Sequence, residues 1–269
     1  MMRTSLLLCA LLLLATTAGA ETLKIGGSGS MIPLVSELGK AYVKKHPGDR
    51  IEVNQKSLGQ PGGIAALMAG AIDIAMSAAD LTPDQKQLPI KAIEIARVAG
   101  VVAVNAGVTV KGITSQQLCD IYSGKITNWR QVGGADAPIL ALTRPESDTT
   151  KVALRQAFAC FATLAEPGKI LNLSKSKDMF DALQAKRNAI GIIDAVALAK
   201  AGGKIRPLRI DGRSHEGMAS GQWAYIHHNN LVLGKNRGET VKRFLQFIGS
   251  PEGQAIIRKD KAVPVNFSY

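Results

Sequence analysis

Aromatic residues are scarce in this chain: six Phe, four Tyr and two Trp among 269 residues. None interleaves with a run of Lys or Arg, so single-stranded nucleic acid finds no stacking platform, and no nucleic-acid partner is expected. Cysteine is scarcer, with three, and no histidine stands near any of them at zinc-ligand spacing. After the N-terminus no apolar run reaches the ~18 residues of a membrane span. No Gly-x-Ser-x-Gly elbow presents a nucleophilic serine. No Gly-Lys-Ser/Thr closes a phosphate loop of the nucleotide-hydrolysing kind. His227 and His228 are neighbours in a strand-like run, so their rings point to opposite faces and do not converge on a metal. With no acid–base or nucleophile set, the chain reads as a protein that is not an enzyme and needs no cofactor or metal.

What is present starts with a leader. Arg3 precedes an apolar stretch from Leu6 to Ala15, and Ala18-Gly19-Ala20 is a small-residue cleavage site before Glu21. Residues 1–20 are therefore expected to be a signal peptide cleaved after Ala20, directing the chain to the periplasm. Losing Arg3, the leader's one charge, lowers the net charge from +12 to +11. That charge is dispersed, which favours solubility and mild attraction of anions. Spacing does not decide whether Cys119 and Cys160 form a disulfide or are two small buried side chains.

Strand-like and helix-like patterns alternate along the chain, which implies an α/β fold with largely parallel pairing. Leu23 to Gly27 alternates like a strand, runs into Ser28-Gly29-Ser30, and gives way to a helical pattern from Leu34. Such a turn is either a serine-capped β-to-α connection or an anion cradle, because helix N-termini carry unpaired N–H donors and partial positive charge. Thr82-Pro83-Asp84 is read as a helix start, and Thr114-Ser115-Gln116-Gln117 as a capping box. Two strand runs flank Gly100, read as a crossover between lobes. Arg144-Pro145-Glu146-Ser147-Asp148-Thr149-Thr150 repeats the logic of the first turn: a strand ends, hydroxyls cluster and a helix begins. Here Arg144 adds a fork-shaped oxyanion donor. Ser250-Pro251 reads as the cap of the last helix.

Several stretches together resemble one family. They are Gly27 to Pro33, Gly62-Gly63-Ile64 with Asp73 to Ser77, Leu118 to Gly134 (LCDIYSGKITNWRQVGG), the Arg144 loop, Ala189-Ile190-Gly191, and Ser250 to Gln254 with Val263-Pro264. In these the chain is similar to the phosphate-binding solute receptors of bacterial ABC importers. The resemblance implies a two-lobed type II periplasmic-binding-protein fold with a hinge. Lobe one is expected from residues 21–100 and 205–269, and lobe two from 101–204. The resemblance also implies capture of a small oxyanion, most of all phosphate, by a monomer that serves an inner-membrane ABC permease.

Carried over position by position, the ligand set implied by the resemblance is Ser28, Gly29, Ser30, Arg144, Ser147, Asp148, Thr149 and Thr150. Three positions depart from the family pattern. Gln60 and Pro61 replace the hydroxyl before Gly62, with Ser57 the nearest one. Ala78 stands where the family often has Asp or Arg. Asp148 brings a carboxylate into the anion loop. A carboxylate about 4 Å from an anion costs on the order of 1–4 kcal/mol, unless a proton lies between them. Asp148 is thus either a selector of protonated oxyanions, replacing the carboxylate missing at position 78, or an ordinary acid at a helix N-terminus. Two further readings of the whole stand beside the main one: the same fold with a changed ligand, or an envelope adhesion or sensory-partner protein without tight phosphate binding.

Overall fold

The computed structural model describes residues 22–235 and 238–268; the leader expected over residues 1–20 lies outside them. In chain order the elements are β1 (Thr22–Gly27), α1 (Ile32–Lys45), β2 (Arg50–Val53), α2 (Gly59–Met68), β3 (Ile74–Ser77), β4 (Lys91–Asn105) and β5 (Gly112–Ile113). There follow α3 (Ser115–Tyr122), β6 (Leu140–Thr143), α4 (Thr149–Ala157), β7 (Leu171–Asn172), α5 (Ser176–Ala185), β8 (Ala189–Asp194) and α6 (Ala195–Ala199). The chain ends with β9 (Ile205–Pro207), β10 (Arg209–Ile210), β11 (Ile226–Leu233), α7 (Glu239–Gly249), α8 (Pro251–Lys259) and β12 (Val263–Pro264).

The strands lie in the order β2-β1-β3-β11-β4-β8-β6-β7, with β9 and β12 also pairing β4. The pairing is mixed rather than largely parallel. The outer groups β2-β1-β3 and β8-β6-β7 are parallel, whereas β11 and β4 are antiparallel to each other and to the strands beside them. The antiparallel strands are those that cross between the two lobes. Lys91 to Ala99 of β4 pairs with β11, and Gly100 to Val104 pairs with β8, so one strand serves both lobes. The break anticipated at Gly100 is absent because apolar residues on both sides of it find partners. Gly100 instead makes room for the Tyr225 ring, which would lie 2.4 Å from a Cβ there. β9 and β10, within the 205–269 segment, pair with the end of β4 and with β5.

Local signals hold where chemistry enforces them. Thr114 and Gln117 form both hydrogen bonds of a capping box at α3, and Ser250 caps α8. The helix expected from Thr82 is a single 3-10 turn, Gln85–Gln87. Pro89 follows at once and biases Leu88 to extended backbone, which leaves no room for a second turn. Cys119 and Cys160 form a disulfide that ties α3 to the short turn after α4. Among the described residues no helix is long and apolar enough to cross a membrane.

Candidate functional site

The site is built from helix beginnings. β1 ends on Gly27, whose φ of +139° and contact with Met76 suit glycine: a Cβ would lie 2.3 Å from the Met76 carbonyl oxygen. The chain then enters a 3-10 turn at Gly29–Met31 that continues into α1. Close by, Gly63 of α2 faces the Gly27 backbone so tightly that a Cβ would be 2.8 Å from the Gly27 Cα. Two glycines in contact thus set the start of α2 beside the start of α1. From the other lobe, β6 runs into the Arg144 loop and α4, and α5 begins at Ser176.

These four helix starts line one cleft of about 390 Å³. Its lining comprises Ser28 to Ser30 and Ser57 to Gly62 from the β1–α2 region, and Arg144, Pro145, Ser147 to Thr149, and Ser174 to Ser176 from the β6–α5 region. The first N–H groups of a helix have no partner within it, and their summed dipole favours negative charge. Helix or 3-10 starts with hydroxyls between them around one small cavity are an arrangement suited to an oxyanion.

The structure brings together every residue expected at the site except Thr150. Thr150 is buried behind the wall, where its carbonyl accepts a hydrogen bond from the Tyr225 hydroxyl at 3.2 Å. Ser28 does not cap α1; its Oγ accepts from the Ala78 N–H at 3.3 Å. Arg144 is almost wholly buried and donates to the Leu173 carbonyl (2.9 Å), Asp148 Oδ2 (2.5 Å) and Ser176 Oγ (3.4 Å). Asp148 also caps α4, accepting from the Thr150 N–H at 3.0 Å. Its carboxylate therefore has two jobs before any ligand arrives: it starts the helix and it orients the guanidinium.

The departures at positions 60 and 78 have local explanations. Gln60 sends its amide away to the Asp80 carbonyl and to Gln85, both at 3.2 Å. Ser57 holds its hydroxyl against Gly29, where a Cβ would meet its Oγ at 2.8 Å. It is the hydroxyl of this edge of the cleft. Ala78 is fully buried under Ser28. Sequence reasoning missed Ser174, Lys175 and Ser176. Two serines directly before a helical pattern were the available signal.

Behind the anion loop lies an ion cluster. Lys151 is entirely buried, donates to Thr143 Oγ1 at 2.7 Å and pairs with Glu166. Arg155 grips Glu146 with two bonds of 2.7 and 2.9 Å. A hydrogen bond from Arg155, against some cost of burial, and the charge of Lys151 hold the Glu146 carboxyl below its ordinary value. The strand end and the helix start that carry Arg144 and Asp148 are thereby clamped from the rear.

A family model described as a PBP superfamily domain matches residues 15–222. The phosphate-binding protein PstS of Bacillus subtilis is 31% identical over 255 residues, covering 91% of this chain and 81% of that protein. A crystal structure from Clostridium perfringens, described as a phosphate ABC transporter substrate-binding protein with bound phosphate, superposes with a TM-score of 0.84. It is 29% identical and covers 91% of this chain and all of that one. An ABC-type phosphate transport receptor from Vibrio cholerae shares the fold, with a TM-score of 0.71 at 24% identity over 90% of this chain and 99% of that one. The chain belongs to the PBP superfamily and, within it, to the PstS family of substrate-binding receptors.

Proposed function

We propose that this chain captures inorganic phosphate between its two lobes outside the inner membrane, as a monomer, and presents it to an ABC permease. The observation that carries the proposal is the convergence of four helix starts and Arg144 on one cavity of about 390 Å³. The relatives named above bind or transport phosphate, which supports the choice of anion. In this reading lobe one is built around β1, β2 and β3 and lobe two around β6 and β8. β4 and β11 are the connection that bends as the lobes close. Ser28, Gly29, Ser30 and Ser57 hold the anion from one side; Arg144, Ser147, Asp148 and Thr149 hold it from the other.

Asp148 is the residue through which the site tells phosphate from sulfate. Its lone pairs not used by Arg144 and Thr150 can accept a hydrogen bond from the P–OH of hydrogen phosphate, whereas sulfate has no O–H to donate. Calorimetric titration of the chain without residues 1–20, stripped of ligand by unfolding and refolding, tests both statements. The expected result is saturable binding of phosphate and none of sulfate. Asp148→Asn, which keeps a helix cap, is expected to weaken phosphate and to admit sulfate, narrowing the preference by about tenfold or more. Absence of heat with either anion would refute phosphate capture. An Asp148→Asn variant that binds phosphate like the parent and still rejects sulfate would remove Asp148 from the selection.

A further inference from the structure

A second, small cavity of about 10 Å³ shares Ser30 with the cleft. Its lining includes Ser30, Asp194, His227, Asn229 and Asp260. Ser30 lines both this cavity and the cleft, so the two are one residue apart. His227 lies on β11 opposite Val98 of β4, where the lobes join, and only 2% of it is exposed. Neither of its ring nitrogens has a partner at full hydrogen-bond geometry, and the backbone of Ala78 is the polar group that approaches it. An imidazole buried with so little hydrogen bonding is costly, and its ring keeps an unspent capacity to bind a proton.

We propose that His227 takes up a proton from solvent when the cleft takes its oxyanion, so that the receptor captures anion and proton together. The inference rests on the oxyanion reading of the cleft. The proton adds to a ring nitrogen and no bond of the anion is broken.

The surroundings of His227 fit this exchange. Asp194 lines the same cavity at the end of β8, where it caps α6, and so does Asp260 just after α8, with Lys200, the residue after α6, at 3.8 Å from that carboxylate. Asp148, at the start of α4, acts on His227 through space. On its own strand Tyr225 lies 5.5 Å away, ring to ring. His228 faces the other way and is occupied by Glu94 of β4 at 2.8 Å, which also holds Arg97. Burial lowers the His227 pKa, and the charges of Asp194 and Asp148 oppose this without overcoming it. Burial likewise raises Asp194. Burial thus disfavours the charged form of both the ring and Asp194 in the free receptor. A further negative charge one residue away favours the imidazolium, which raises the midpoint of the ring.

The chain has four histidines, so their ring signals can be followed individually by NMR across pH. His227 is assigned by the loss of its signal in His227→Gln, or by elimination with His46→Gln, His215→Gln and His228→Gln if that variant does not fold. With saturating inorganic phosphate the His227 midpoint is expected to move upward by about one pH unit. The other three are expected to stay in place. Calorimetry on the same sample establishes that phosphate is bound. Bound phosphate with an unmoved or lowered His227 midpoint would overturn this inference alone. No phosphate binding would overturn the oxyanion reading, and this inference with it.

Discussion

At the scale of single residues, the cleft is governed by what its charged groups already hold. Arg144 and Asp148 neutralise each other in a wall that is almost closed to solvent, and this pair is reinforced from behind by Lys151 and Glu166. Lys151 is the more demanding of the two cations, because its ammonium has no access to water. Taking one partner from a buried pair leaves the other charge unpaired, which costs about 3–5 kcal/mol, whereas replacing both is close to neutral. Lys151→Met is therefore expected to lower the urea stability by that amount. The double variant Lys151→Met, Glu166→Gln is expected to recover most of it. A single variant as stable as the parent would show that the pair does not clamp the loop. The cluster was not legible in the sequence. Lys151, Glu146 and Glu166 look like surface charges there, and only the fold turns the lysine inward.

At the scale of elements, the decisive feature is how closely strand ends and helix starts approach. Gly63 sits at 2.8 Å from Gly27 in Cβ terms, and backbone cannot yield as a side-chain tip does. Gly63→Ala is expected to push the start of α2 away from β1, costing about 1–3 kcal/mol and weakening phosphate binding. Gly48→Ala, where nothing lies within 4 Å, is the control for a simple glycine replacement. Thermal unfolding and phosphate titration of both variants measure the contrast. Equal effects would mean that the approach of α2 to β1 is not what forms the cleft.

The two hydroxyl-rich turns that line the cleft are legible because each announces itself chemically: an alternating apolar run stops, and glycines or hydroxyls follow. The stretch from Ser57 to Gly62 gives a weaker signal, since Gln60 and Pro61 stand where a hydroxyl would. The start of α5 was missed because Ser174-Lys175-Ser176 follows β7, a strand of two residues whose side chains are exposed. A strand so short gives no alternation to read. Continuous pairing of β4 through Gly100 likewise depends on partners far away in sequence, which local patterns do not reveal.

At the scale of the whole molecule, the ligand and the disulfide stabilise different things. The Cys119–Cys160 bond closes a separation of 41 residues between α3 and the turn that follows α4. By the loop-entropy relation such a closure contributes about 4 kcal/mol. A ligand held by both lobes acts on the molecule as a unit, since only the folded, closed protein offers the full site. At a thousand times its dissociation constant it contributes about 4.1 kcal/mol. These magnitudes nearly match, which makes a direct comparison informative. The variant Cys119→Ser, Cys160→Ser is expected to unfold at a clearly lower temperature without phosphate. With phosphate a thousandfold above its dissociation constant, it is expected to return close to the ligand-free parent. Such recovery requires that α4, whose first turn borders the cleft and is followed by the turn that carries Cys160, stays in place without the bond. If phosphate failed to raise the melting temperature of the variant while still raising that of the parent, the disulfide would be part of what shapes the cleft, and not only a brace of the lobe behind it.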